Sequence, residues 1–251
     1  MPDFIDYIDS ITNSPSVEDL WALHSVQMAQ YGFDRIIFGY TRYRTSSSLG
    51  DPQDWVVLTN QTDDYIKSFI DDGLYFNAPM VRWANENVGA CSWSWIETQI
   101  AQNKLSPAEL RVAEFNASMG VTAGYTISFR SNTQRTKGAV ALTARPGLSQ
   151  HDVDQIWAEH GRQITVANNV VYLKLMTLPY NRSRQLTKRQ REVLEWVGDG
   201  KTTQDIAFLM GLTAATVEKH LRLAREALDV DTTAQAVLKA AFYNQMFVLD
   251  L

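Results

Sequence analysis

Thr213, Ala215, Thr216, Glu218, Lys219, His220, Arg222 and Arg225 fall within one short stretch in which Val217, Leu221, Ala224 and Leu228 recur at intervals of three and four residues. That spacing makes one apolar stripe on a helix and turns the polar residues onto its remaining surface. Hydroxyls, an ammonium and two guanidinium groups grouped in this way can donate to phosphate oxygens and base edges. Glu218 can accept from a cytosine amine, or act as a solvated acid that tunes specificity by repulsion. A solvated amphipathic surface has the same composition, so the helix alone leaves both readings open.

The elements around it narrow the choice. A short helix from Thr203 to Met210 is expected to stop at Gly211, which takes a left-handed backbone without a Cβ clash, and Thr213 then caps the next helix. Ile206, Ala207 and Leu209 form the surface expected to receive the apolar stripe, and Lys201 adds a cation just upstream. Leu186, Thr187, Arg189, Glu192, Val193, Leu194, Gly200, Lys201, Thr202, Ile206, Ala207, Leu209, Gly211, Thr216, Val217, His220, Leu228 and Val230 follow in the order of a known family. The segment resembles the LuxR-type, or NarL/FixJ-type, four-helix DNA-binding domain. That resemblance implies an all-α helix-turn-helix whose second helix enters the major groove of double-stranded DNA. It also implies a homodimer on a pseudo-palindromic operator, with a fourth helix over Thr232 to Phe247 meeting its twin through Ala236, Val237, Ala240 and Ala241. Gln190 stands where the family often has glutamate, so a neutral hydrogen bond replaces a local salt bridge there.

Composition permits this reading without suggesting it. The 251 residues suffice for two domains, and 45% hydrophobic with 20% charged residues is ordinary for a globular chain. The net charge of −5 excludes a uniformly basic nucleic-acid coat. Residues 1–179 hold 13 Lys and Arg against 19 Asp and Glu, whereas residues 180–251 hold 10 against 9, so DNA would meet a local basic cluster. Cys91 is the one cysteine, which excludes an intramolecular disulfide and a multi-cysteine metal site and fits a reducing cytoplasm. The four histidines lack ligand spacing, the N-terminal residues do not read as a secretion signal, and no apolar run suggests membrane insertion. Neither a metal nor another cofactor is expected.

Upstream, the chain reads as an α/β/α sandwich around an antiparallel sheet. Helices are expected over Ser16 to Tyr31, Asp63 to Asp71, Met80 to Asn87 and Pro107 to Met119, with a long helix opening at Ser149 and Asp152 and running to Met176. Strands are expected over Arg35 to Arg44, Trp55 to Leu58, Gly124 to Arg130 and Gly138 to Ala144, the last two joined as a hairpin. Pro179 and the polar residues after it mark a linker over 178–185, separating a sensor domain (1–177) from the DNA-binding domain (186–251). The fold class is therefore α+β with an all-α C-terminal domain.

Tyr65, Phe69, Tyr75, Phe76, Trp83, Trp93 and Trp95 crowd one part of the sensor domain. Such a cluster either fills a core or lines an apolar pocket. Tyr65, Phe69, Ala78-Pro79, Trp93 and Gly124 keep a family's spacing, with intervals of four, nine and fifteen residues between the first four. Residues 15–175 resemble the autoinducer-binding domain of quorum-sensing LuxR-type regulators. The family pattern has tryptophan, tyrosine and aspartate where this chain has Tyr65, Phe69 and Ala78. By resemblance, the position of Tyr65 donates to a lactone carbonyl and that of Ala78 accepts from a ligand amide. Tyr65 can still donate and Ala78 cannot accept, which leaves Asn77 or Gln61 as substitutes for an acyl-homoserine lactone, or a site retuned for another apolar signal. Alternatives are a sensor domain that binds no small molecule and serves dimerisation or protein interaction, a phosphorylated receiver, or an enzyme. The receiver lacks its acidic residues and repeated βα units, and no catalytic constellation stands at recognisable spacing.

Overall fold

The computed structural model describes residues 3–45, 48–180 and 185–248. It divides into two compact units, Met1–Met176 and Thr177–Leu251. Leu178 and Tyr180, expected in the linker, hydrogen-bond within the second unit: the Asn244 amide donates to the Leu178 carbonyl at 3.0 Å, and the Tyr180 N–H to the Tyr243 carbonyl at 3.3 Å. Asn181 to Arg184 of that linker lie outside the described residues.

In the first unit, α1 (Phe4–Thr12) and α2 (Val17–Gln30) start at Asp3 and Ser16, whose side chains accept from N–H groups of the first turn. The sheet follows: β1 (Phe33–Thr41), β2 (Val56–Thr59), β3 (Gly89–Ser92), β4 (Gly124–Ser128) and β5 (Lys137–Ala144), antiparallel throughout in the order β2-β1-β5-β4-β3. Between β2 and β4 lie α3 (Asp63–Ile66), a π-helical turn (Lys67–Asp71), a 3-10 turn (Leu74–Asn77), α4 (Pro79–Glu86), α5 (Ser94–Ala101) and α6 (Pro107–Ser118). The long α7 (Gln150–Leu175) opens on a reciprocal cap in which Ser149 and Asp152 each satisfy the other's backbone N–H.

Strand alternation gives the sheet two unlike faces. Ile36 pairs with Leu142, Phe38 with Val140, and Tyr125 with Leu142, placing large residues on one face. There Tyr125 stacks on Trp157 of α7 with ring centroids 3.8 Å apart, and Phe129 stacks on Tyr172 at 4.4 Å. On the opposite face Gly39 pairs with Ala139, and Ile37 and Thr126 flank Ala141. This face carries small side chains and is roofed by the segments from α3 to α6.

The expected sandwich and hairpin are present, with some differences. The helix expected over Asp63 to Asp71 is one α-turn followed by a π-turn. The elements β3, α1 and α5 were not anticipated. β3 is only GACS, with no hydrophobic alternation, and exists because it pairs with β4.

The second unit is all-α: α8 (Lys188–Gly198), α9 (Thr203–Met210), α10 (Ala214–Leu228) and α11 (Thr233–Phe242). Thr187, Thr202 and Thr232 cap α8, α9 and α11, each with a reciprocal bond from the third helical residue. In the first of these Gln190 accepts from the Thr187 N–H at 2.8 Å, so the neutral side chain completes the cap. Val193, Leu194, Ile206, Val217, Leu221, Ala224, Leu228, Ala236 and Ala240 form the core. Burying each large aliphatic side chain there contributes roughly 1.5–3 kcal/mol. Leu209, expected in this core, is instead 49% exposed, because α9 turns only Ile206 and Ala207 fully inward. The fourth helix ends at Phe242 rather than Phe247, and Ala236 and Ala240 serve its close approach to its own domain.

Candidate ligand cavity and nucleic-acid interface

The small-residue face of the sheet borders a cavity of about 330 Å³. Its floor is Gly39, Ala139 and Ala141, and a Cβ added at Gly39 would meet nothing within 4 Å. Side chains too short to reach the roof are the physical reason that space remains. Tyr65 of α3 and Phe69 of the π-turn line it: Tyr65 stacks on Phe69 at 5.3 Å and, behind the wall, on Phe115 of α6 at 5.6 Å. Trp55 meets Tyr75 edge-on at 4.7 Å. The aromatic cluster thus divides. Tyr65, Phe69, Tyr75 and Trp93 line the cavity, whereas Phe76 is 67% exposed and Trp95 lies under the Arg82 guanidinium.

Polar side chains occur on this wall in mutually bonded pairs. The Tyr65 hydroxyl donates to Asn116 at 3.1 Å, the Gln61 amide to Thr143 at 3.2 Å, and the Trp93 indole N–H to Thr126 at 2.9 Å. Burial raises the Tyr65 pKa, so its hydroxyl stays protonated and able to donate. Ala78 is buried on the wall and begins α4 without a side-chain cap. Asn77 is exposed at the end of the 3-10 turn and lies off the wall, so the structure does not bring it to the cavity. Gly124 also lies off the wall. A Cβ there would come within 3.0 Å of the Trp93 ring and 2.2 Å of the Leu142 carbonyl, so the glycine seats Trp93 against the sheet. Trp55, Asn116, Thr126 and Lys137 join the lining without having been singled out. The alternation Lys137, Ala139, Ala141, Thr143 along β5 was the signal available for the floor.

In the second unit, Gly211 ends α9 at φ +64°, and the Thr213 hydroxyl accepts from the Thr216 N–H at 3.2 Å to open α10. Ala215, Glu218, Lys219 and Arg222 are exposed along α10, Thr216 and His220 are half-buried, and Lys201 is exposed just before α9. Besides Thr213 and Thr216, three of the polar residues are engaged within the domain. Glu218 accepts from the Thr203 hydroxyl at 2.8 Å, Arg225 donates to Thr233 at 2.9 Å, and Arg222 pairs with Glu226.

The autoinducer binding domain family matches residues 16–175, and the luxR family of bacterial regulatory proteins matches residues 184–240. The chain belongs to the LuxR-type quorum-sensing regulators. It is a transcriptional regulator in which an autoinducer-binding domain precedes a helix-turn-helix DNA-binding domain. The transcriptional activator LuxR of Aliivibrio fischeri is 27% identical over 187 residues, 73% of this chain and 72% of that protein. AnoR of Acinetobacter nosocomialis is 23% identical over 232 residues, 89% of this chain and 90% of its own length. Two solved structures share the fold. The N-acylhomoserine lactone dependent LuxR family factor CepR2 from Burkholderia cenocepacia has a TM-score of 0.51 and 14% identity, covering 68% of this chain and 95% of that one. SdiA of Escherichia coli in complex with octanoyl-rac-glycerol has a TM-score of 0.50 and 16% identity, covering 97% and 96%. Ala78, expected where the family has an aspartate, offers the cavity wall only a methyl group. Among the described residues no helix is long and apolar enough to cross a membrane, and no cluster of potential metal ligands occurs.

Proposed function

We propose that this regulator takes up one small amphipathic signal, an acyl-homoserine lactone or a related apolar molecule, in the sheet-side cavity. On this reading, occupancy governs the pairing of two chains on a pseudo-palindromic DNA site. The observation that carries it is the space itself: the cavity falls in the size range of small-molecule sites and has an aromatic roof and a few polar pairs. An interaction domain that bound nothing would fill such a face with larger residues. Tyr65, Phe69, Trp93 and Ala78 would contact the ligand, with Gly124 acting through Trp93. Gln61 spends its amide N–H on Thr143 and leaves its carbonyl oxygen to replace the missing carboxylate. A ligand amide left without an acceptor costs about 1–3 kcal/mol, roughly ten- to a hundredfold in affinity.

Ligand binding to the folded form alone stabilises it by mass action and favours assembly. A twofold dimer then presents two α10 helices about one DNA turn apart. Lys219, His220 and Arg222 would meet bases and phosphates, with Thr213, Ala215, Thr216 and Lys201 near the backbone. Glu218 and Arg225, tied to Thr203 and Thr233, would position the helix. The proposed site of action is the cytoplasm, and the ligand is held rather than turned over. Mass spectrometry of molecules released from the purified chain, with thermal unfolding across a set of acyl-homoserine lactones and acylglycerols, tests the reading. A raised unfolding temperature with at least one amphiphile is expected. No shift with any of them, and no co-purifying molecule, would overturn it.

A further inference from the structure

The cavity has two unlike ends. Lys137, Ala139, Ala141 and Thr143 alternate onto its wall along β5, so Lys137 and Thr143 stand about 20 Å apart at roughly 3.3 Å per residue. Thr143 belongs to the end held by Gln61. At the opposite end the buried Lys137 donates to the Asn87 carbonyl at 3.1 Å, and Arg44 donates to the Asn85 carbonyl at 3.1 Å. Both cations therefore sit on carbonyls at the C-terminal end of α4. A helix end supplies about half a negative charge against their two positive ones. Among the described residues no carboxylate pairs with either. Burial and then the nearby Arg44 lower the Lys137 pKa, as expected for an ammonium short of counter-charge. An ammonium has three N–H groups, and with the Asn87 carbonyl accepting one of them Lys137 retains capacity to donate to an oxygen anion.

We propose that the signal is polar at both ends, with a head group near Gln61 and Thr143 and a chain along Ala141 and Ala139 that terminates in a carboxylate held by Lys137. This rests on the reading of the cavity as the ligand site. The test is isothermal titration of the full-length chain with N-acyl-homoserine lactones of increasing chain length, each beside its ω-carboxylate counterpart. At the best-fitting length the ω-carboxylate is expected to bind about ten- to a hundredfold tighter, the range of one charge-assisted hydrogen bond. In Lys137→Met, and in Lys137→Gln, which keeps a donor for Asn87, that preference should collapse. Plain chains binding as tightly as their ω-carboxylates in the unmodified protein would overturn this inference while leaving the cavity reading intact. A preference that survives both substitutions would overturn the assignment to Lys137. Binding of neither series would remove both readings.

Discussion

Arg222 and Glu226 pair across one turn of α10, so the guanidinium proposed to meet DNA is held by a carboxylate of its own helix. Both side chains are more than half exposed, so the pair contributes at most about 1 kcal/mol to stability. A phosphate or a guanine edge must compete with that carboxylate. Arg222→Ala is expected to weaken operator binding roughly ten- to a hundredfold. Glu226→Gln should tighten it severalfold, most clearly at low salt. Fluorescence anisotropy on an operator fragment reads both, and a matching fall in unfolding temperature for Arg222→Ala would sink the assignment.

Filling the cavity should separate folding from sensing. Gly39 has ordinary strand geometry and a Cβ there meets nothing within 4 Å, so Gly39→Leu extends an apolar side chain into the cavity. The variant is expected to keep its circular dichroism spectrum and unfold at the same temperature or higher, while ligand-induced stabilisation disappears. An unchanged ligand response would place the signal elsewhere.

Ala78→Asp tests the departure from the family pattern. The new carboxylate would cap α4, worth about 1 kcal/mol, and restore an acceptor on the cavity wall. Common acyl-homoserine lactones should bind about ten- to a hundredfold tighter than to the unmodified chain. If affinity stays flat while stability rises, Ala78 caps a helix and does not face the ligand amide.

His24 makes the first unit sensitive to acid. It is fully buried among α1, α2 and α7, with the Tyr7 hydroxyl 2.7 Å from Nδ1 and the Asn168 side-chain oxygen 3.1 Å from Nε2. The Asn168 amide nitrogen is spent on the Ile164 carbonyl, so its oxygen accepts from Nε2–H and Nδ1 accepts from Tyr7. Burial opposes charge and pushes the His24 pKa down to about 4 from 6.5. The unfolded chain therefore binds the extra proton first. Stability should be complete above pH 6.5 and fall as pH drops towards 4, by about 1.4 kcal/mol per unit. Urea midpoints measured between pH 7 and 4.5 would show the slope, and His24→Gln should flatten it. A slope retained in that variant would assign the effect to other groups.

Much of the molecule was legible because local signals agreed. Ser149 with Asp152, Thr213 with Thr216, and Gly211 between α9 and α10 are caps and stops set within a few residues of one another, and the structure has them where the sequence put them. The aromatic cluster by itself left core and pocket open, and only the family resemblance singled out Tyr65, Phe69 and Trp93, which do line the cavity. Leu209 was misplaced because helical period assigns a face but not how widely that face is covered. β3 was missed because four small residues carry no period at all.

Sequence alone therefore determined what is encoded locally or in the order of a family's residues: the two domains, the helix-turn-helix, the sandwich class and a sensor preceding a DNA reader. Only the tertiary structure decided where empty space lies, because space depends on residues far apart, Gly39 and Ala139, being small together, while Trp93 is seated on the sheet by the missing side chain of Gly124. It also decided which polar groups remain available. Whether Gln61, Arg222 or Lys137 can meet a ligand or DNA depends on the partner that the folded chain has already given it.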